Sequence, residues 1–289
     1  MSDTRYTARA VDPAVVDNDT VTAFRVHGAV VVRGLFTPDE VAAVERGIER
    51  NLADPSPLFL VASRDDDPGR FVEDFCSWQR IPEFEDIAFT SRAADVAAAL
   101  MQSSTVRLYH DHVLVKEPGT AQETPWHQDQ PYYNVDGFQN CSMWMPVDPV
   151  AAESTLEFLA GSHLGGWLMP RSFMDSQAKW FPEGTLHELP TIEGYRDQHQ
   201  ILGWALEPGD VVFFHMLTVH HAYGVPGASR RRAFSLRFLG DDSVHAPRPW
   251  RTSPPFEGLA DELPAGAAMD HELFPLLRAA NPRADRSTE

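Results

Sequence analysis

The sequence predicts a mainly β fold, a sandwich or jelly roll with supporting helices packed on one sheet. Helical patterning sits early in the chain, and short alternating or apolar stretches follow as far as Leu239, separated by glycine and proline breaks. The chain of 289 residues is 43% hydrophobic and 10% aromatic, which is enough apolar material for one sizeable core. No repeat and no linker divides it, so 1–289 reads as a single domain, with its core at about 20–240.

Taken in order, residues 1–20 are polar and lack periodicity, which predicts a loosely held lead-in. Between Phe24 and Phe36, Val30-Val31-Val32 lies between the breaks Gly28 and Gly34, the pattern of a short buried strand. Thr37-Pro38-Asp39-Glu40 has the form of a capping box with proline at the first helical position, and Val41, Val44, Ile48 and Leu52 then fall on one helical face. Residues 53–70 are rich in Pro and Asp and predict a loop, with Asp65-Asp66-Asp67 solvated in it. A second helix is expected from Ser91, as N-cap, through Val96 and Leu100.

The period then changes. Alternation over Val106–Lys116 places Leu108, His110, His112, Leu114 and Lys116 on one face of a strand that Pro118-Gly119 closes. Further strands are expected at Cys141–Val147, Thr155–Leu159, Val211–Phe214 and Arg232–Leu239, and a short helix near His271–Ala279. Residues 164–207 show no clean period and contain Pro170, Pro182 and Pro190; an irregular insertion of that length predicts a lid or binding loop. A Pro- and Arg-rich C-terminal extension occupies 241–289. Trp167, Trp180, Phe181, Trp204 and Trp250 in these two segments either shape a substrate pocket or belong to ordinary core.

Composition excludes several classes of partner. A formal charge of −18, with Lys116 and Lys179 the only lysines, argues against a nucleic-acid surface. No apolar run approaches the roughly 20 residues that cross a bilayer, so no membrane partner is expected. Residues 1–10 carry no signal-peptide pattern, which predicts a cytoplasmic location. Cys76 and Cys141 are too few for a disulfide framework or an all-cysteine zinc site.

The chemistry centres on Thr124–Tyr132, where His127 and Asp129 stand two positions apart on a short extended segment. Downstream come His215, His220 and His221, then Arg230-Arg231-Arg232. Two histidines and one carboxylate form the facial set of a non-heme Fe(II) centre and leave positions open for a chelating 2-oxo acid and O2. The far carboxylate of such an acid needs a cation, and arginine offers a planar, two-pronged donor. Strand parity puts Arg231 on the face of Ala233 and Ser235, opposite Phe234, Leu236 and Phe238, while Arg230 and Arg232 read as a solvated turn. A His-x-Asp pair alone also occurs in surface loops.

Several separate motifs occur together in order: Asp111–Gly119 (DHVLVKEPG), Thr124–Tyr132 (TPWHQDQPY), Trp144–Val147 (WMPV), Leu159–His163 (LAGSH), Gly209–His220 (GDVVFFHMLTVH) and Arg231–Ser235 (RRAFS). In these the chain resembles the phytanoyl-CoA dioxygenase family of Fe(II)/2-oxoglutarate-dependent oxygenases, over roughly 106–240. The resemblance implies a double-stranded β-helix, a cupin-like jelly roll. It implies iron ligands at His127, Asp129 and His220; His221 is the rival for the third place, and His220 is preferred because the family's ligand stands five residues after the histidine matched by His215. It also implies that Arg231 binds 2-oxoglutarate and that His112, Trp144 and, less directly, Trp78 line the co-substrate site. The implied cofactors are Fe(II), 2-oxoglutarate and O2. The implied activity is hydroxylation of an unactivated C–H of a small molecule (a natural product, amino-acid derivative or acyl group), with release of succinate and CO2.

Related halogenases lack the ligand carboxylate, so Asp129 points to hydroxylation. Where relatives carry Gly-Ser after the distal histidine, this chain has His221-Ala222, which leaves Tyr223 as a candidate to assist Arg231. Gln128 is a candidate for orienting a ligand. Two other readings use the same ligands: a zinc-dependent hydrolase, which gives Arg231 no task, and a metal-binding scaffold without turnover.

Overall fold

The computed structural model describes residues 6–12, 15–169, 186–189, 191–225 and 227–280. The expectations placed on Pro170, Trp180, Phe181, Pro182 and Pro190 lie outside the described residues.

The strands are β1 (Arg9–Ala10), β2 (Ala29–Val32), β3 (Leu60–Val61), β4 (Phe71–Phe75), β5 (Val106–Lys116), β6 (Thr124–His127), β7 (Val135–Asp136), β8 (Asn140–Pro146), β9 (Leu156–Leu159), β10 (Ile201–Leu202), β11 (Val211–Phe214), β12 (His220–Ala222), β13 (Arg231–Leu239), β14 (Val244–His245) and β15 (Leu276–Ala279). The α-helices are α1 (Asn18–His27), α2 (Pro38–Ala53), α3 (Pro82–Thr90), α4 (Ala93–Met101) and the short α5 (Leu259–Glu262). A nine-stranded sheet runs β1-β15-β5-β13-β8-β11-β2, with β4 also pairing β5 and β3 pairing β4. A four-stranded sheet, β10-β9-β12-β6, faces it. The fold is the expected mainly β jelly roll.

Helices α1 to α4 pack on the outer face of the large sheet. Val44 and Ile48 of α2, Phe84 and Ile87 of α3 and Val96 of α4 share one apolar cluster with Val113, Val115, Phe234, Leu236 and Phe238. The rings of Phe84 and Phe234 stack at 4.1 Å. A second cluster fills the space between the sheets, with Trp144, Leu156, Phe158, Phe214, Ala222 and Ala233.

The capping box is as read: Thr37 N donates to Glu40 Oε2 at 2.8 Å, and Glu40 N donates back to Thr37 Oγ1 at 3.3 Å. Other expectations are corrected. The 1–20 lead-in contains the start of α1, whose N-cap Asp17 accepts from Thr20 N at 2.7 Å and which Gly28 ends in a left-handed conformation. The helix expected from Ser91 begins at Ala93, and Ser91 instead closes α3. Within the 53–70 loop, β3 pairs β4, and Asp67 accepts from Ala121 N and Gln122 N at 2.8 and 2.9 Å rather than standing solvated.

The helix expected near His271–Ala279 is strand β15, hydrogen-bonded to β5 and β1. Its Arg278 is fully buried and donates Nε and Nη2 to the two Asp95 carboxylate oxygens at 2.8 and 2.9 Å. That long-range pair and the sheet edge override the local helical composition.

Strand β5 corrects the face assignment. Arg237 pairs His110 but Phe238 pairs Leu108, so Tyr109 is the extra residue of a β-bulge. Beyond it the parity flips. Leu108 joins Val113 and Val115 in the helix-side cluster, while His112, Leu114 and Lys116 face the space between the sheets.

Candidate metal centre and its cavity

The small sheet supplies two imidazoles because β6 and β12 are adjacent and in register, with His127 opposite His220. Asp129 lies in the turn after β6, and its N–H donates to Met216 O at 2.8 Å, which ties that turn to the loop leading into β12. Asp129 Oδ1 stands 3.5 Å from His127 Nε2 and 3.7 Å from His220 Nε2. One ligand atom from each of the three residues lies within 4.8 Å of the others, and all three residues are buried.

The chemistry of the donors fits a metal ion. His127 Nδ1 is 2.8 Å from Pro125 O, and His220 Nδ1 is 2.9 Å from Thr218 O. A carbonyl only accepts, so each Nδ1 carries the proton and each Nε2 presents a lone pair to the shared centre. Burial pushes His220 down to about 3, which keeps it neutral. Burial alone would raise the Asp129 carboxyl. The Arg237 guanidinium holds it well below the usual carboxylate range.

The neighbouring His221 turns aside, with Nε2 3.1 Å from Glu157 Oε2. Gln128 also points elsewhere. Its Nε2 donates to Leu217 O at 2.9 Å, and its Oε1 accepts from Leu168 N at 2.8 Å, which anchors the start of the 164–207 insertion rather than orienting a ligand.

The triad opens onto a cavity of about 240 Å³ between the sheets, lined also by Trp144, Leu156, Phe214, Ala233 and Arg231. Arg231 is 7% exposed. Its Nη1 donates to Ser154 O and its Nη2 to Tyr223 O at 3.2 Å. Among the described residues no carboxylate pairs with it, and burial pushes its guanidinium down to about 10. It is thus a cation held in the cavity wall by carbonyl dipoles. It is the carbonyl of Tyr223, not its hydroxyl, that meets Arg231.

Lys116, the cross-strand partner of Arg231, donates Nζ to Gln122 O at 2.7 Å and Tyr223 O at 3.1 Å. Burial, then the charge of Arg231, pushes it well below its ordinary value. The other two arginines of the run are committed to acids. Arg230 meets Glu49 and Glu117, both at 2.9 Å. Arg232, only 11% exposed in its side chain, meets Asp148, Glu45 and Glu49 at 2.7–2.8 Å, so the reading of a solvated turn fails there.

Trp144 of β8 and His112 of β5 flank Ser235 of β13 in one cross-strand row, and both line the cavity. His112 stacks on Phe75 at 4.0 Å, with Nε2 3.1 Å from Glu73 Oε1. Trp78 does not join them; it packs in the helix-side cluster. Trp204 packs against Phe158 at a ring distance of 6.0 Å, Arg248 lies over Trp167 at 4.7 Å, and Trp250 donates to Pro131 O at 3.2 Å. The aromatic wall of the cavity comes instead from Phe71, Phe75, Tyr132, Tyr133, Trp144 and Phe214.

Sequence reading gave no role to Arg237, Ser142 or Glu73. The one available signal was the alternation of β13, which puts Arg237 on the face of Arg231.

A family model described as phytanoyl-CoA dioxygenase (PhyH) matches residues 24–233. Ectoine dioxygenase of Sphingopyxis alaskensis is 25% identical over 248 residues, covering 79% of each chain. A probable phytanoyl-CoA dioxygenase of Caenorhabditis elegans is 28% identical over 149 residues, 48% of this chain and 44% of that one. Among solved structures, the epimerase SnoN from nogalamycin biosynthesis, in complex with Fe3+, alpha ketoglutarate and nogalamycin RO, superposes with a TM-score of 0.73 at 23% identity, over 92% of this chain and all (100%) of that one. EctD from S. alaskensis, with 2-oxoglutarate and 5-hydroxyectoine, gives a TM-score of 0.63 at 20% identity, over 91% and 92% of the two chains. These structural likenesses show the shared fold.

Proposed function

The chain belongs to the phytanoyl-CoA dioxygenase family, and on that premise we propose that it is an Fe(II)- and 2-oxoglutarate-dependent dioxygenase that hydroxylates a C–H of a small molecule. His127 Nε2, Asp129 Oδ1 and His220 Nε2 hold the iron. Arg231 receives the far carboxylate of 2-oxoglutarate, with Trp144 and His112 beside it. Bound iron with the oxo acid and O2 supplies the oxidising power, and succinate and CO2 are the by-products. The residues of the chain present neutral imidazoles and an ionised carboxylate, exclude water and fix the approach of the substrate.

One observation carries the reading: a buried His-Asp-His set and a buried arginine with no carboxylate partner among the described residues share one cavity. A zinc hydrolase would leave that arginine without purpose. The carboxylate at Asp129 favours hydroxylation over halogenation. Succinate formation with Fe(II), 2-oxoglutarate and a panel of candidate substrates tests it, and full activity in Asp129→Ala or Arg231→Ala would sink it.

The same reading treats 1–289 as one catalytic unit, in which the 164–207 insertion and the 241–260 tail shape the substrate pocket. The described ends of these segments support this: Arg248, over Trp167, also donates to Tyr133 O at 2.9 Å at the edge of the cavity. A cytoplasmic setting is supported by two free cysteines, Cys76 and Cys141, whose thiols burial pushes upward. No helix among the described residues is long and apolar enough to cross a membrane. The charge of −18 disfavours nucleic acid as a partner.

A further inference from the structure

The two oxygens of the Asp129 carboxylate have different partners. Oδ1 is the atom that meets His127 and His220, at 3.5 and 3.7 Å. Oδ2 points away, accepting from Ser142 Oγ at 2.8 Å and lying 3.3 Å from Arg237 Nη2. A carboxylate turning freely about its Cβ–Cγ bond can offer a metal one oxygen or both. Chelation by both would occupy a coordination position that the oxo acid or O2 needs.

Arg237 is in turn held rigidly. Its Nη1 donates to Ser235 Oγ, which itself donates to Met143 O, and its Nε donates to Tyr133 OH at 3.2 Å. The side chain is buried and lines the cavity. The contacts tie three separate pieces of chain, β13, β8 and the turn after β6, to one carboxylate oxygen.

We propose that Arg237, together with Ser142, is a positioning residue that keeps Asp129 a one-oxygen ligand and so holds the remaining metal positions open. This rests on the reading of His127, Asp129 and His220 as metal ligands. A merely structural Arg237 would be a buried cation that needs Asp129 as counter-ion. Losing it would then lower stability without changing how the carboxylate meets a metal.

The test uses Co(II) as probe, titrated into the metal-free full-length protein and followed by its visible absorption, whose intensity reports coordination number. Arg237→Met is expected to bind Co(II) about 10- to 100-fold more weakly than the natural protein, with an altered Co(II) spectrum. Ser142→Ala should shift both in the same direction by less, and Arg237→Lys should recover much of the affinity. Affinity within about threefold of the natural protein and an unchanged spectrum in Arg237→Met would overturn the inference, whatever its melting temperature. If that variant does not fold, Ser142→Ala decides by the same two criteria. Absence of Co(II) binding in the natural protein would overturn the metal-centre reading itself, a distinct result.

Discussion

His127 on β6 and His220 on β12 face one another as register partners, with ring centroids 4.2 Å apart, while the next residue, His221, gives its Nε2 to Glu157. Strand alternation thus sorts two adjacent histidines, one toward the metal centre and one away from it. His220→Ala is expected to weaken metal binding by at least about 100-fold, and His221→Ala to change it by no more than about threefold. Metal titration of the two variants checks this, and the reverse order would move the ligand to His221.

Arg231 and Arg232 should respond in opposite ways to the same substitution. Arg231→Met removes a charge-assisted contact worth about 1.5–3 kcal/mol, so the Kd for 2-oxoglutarate should rise roughly 10- to 150-fold. It also removes a buried cation that no carboxylate among the described residues offsets, so the co-substrate-free protein should be no less stable. Arg232→Met breaks the contacts to Asp148, Glu45 and Glu49 and should cost about 1 kcal/mol of stability while leaving 2-oxoglutarate affinity alone. Calorimetric binding and chemical denaturation of both variants check the crossover.

Much of this site is legible in the sequence because its information is local. His127-Gln128-Asp129 sits on one strand and turn, His220 follows His215 in the short stretch from β11 to β12, and Arg231 is placed by an alternation that β13 keeps along its whole length. Local signals also marked α1, through Asp17 and Gly28, but the polar lead-in and the following valines drew the reading toward loop and strand. The Tyr109 bulge is different in kind. It depends on which residues β13 brings opposite, and no periodicity within Val106–Lys116 announces it. Strand β15 likewise exists because Asp95 and the edge of β5 are there to receive it. The part of Arg237 is hidden for the same reason, since it depends on the turn after β6 bringing Asp129 Oδ2 to 3.3 Å from Arg237 on β13.

Asp111 predicts a pH dependence. It accepts from Ser77 N at 3.0 Å and Trp78 N at 2.9 Å, yet burial, the larger effect, pushes its carboxyl up to about 6 from an ordinary 3.8. A folded-state value above the unfolded one means that the folded protein holds the proton more tightly. The contribution of Asp111 is therefore fully present below the unfolded value and is lost as pH rises through about 6. Relative to Asp111→Asn, the natural protein should gain up to about 3 kcal/mol between neutral pH and pH ~4. Urea denaturation of both proteins across that window measures the difference, and a flat difference contradicts the account.

The Arg278–Asp95 pair should govern the seating of the C-terminal strand. Arg278→Ala leaves buried Asp95 with the more distant and half-exposed Arg9, 3.9 Å away, and is expected to cost about 3–5 kcal/mol. Pairing Arg278→Met with Asp95→Leu should recover most of that loss, because both charges are removed together. Denaturation of the single and double variants tests it, and a double variant no more stable than the single would assign the loss to packing alone.

The central claim is that Fe(II) and 2-oxoglutarate meet on His127, Asp129 and His220 with Arg231 behind the co-substrate. Visible absorption under anaerobic conditions tests it most directly, since chelation of Fe(II) by a 2-oxo acid gives a charge-transfer band without any knowledge of the substrate. The natural protein should develop the band only when both Fe(II) and 2-oxoglutarate are added. Asp129→Ala and Arg231→Met should need far higher concentrations of iron and of 2-oxoglutarate respectively. No band in the natural protein at saturating concentrations of both, or an undiminished band at low iron in Asp129→Ala, would contradict the account.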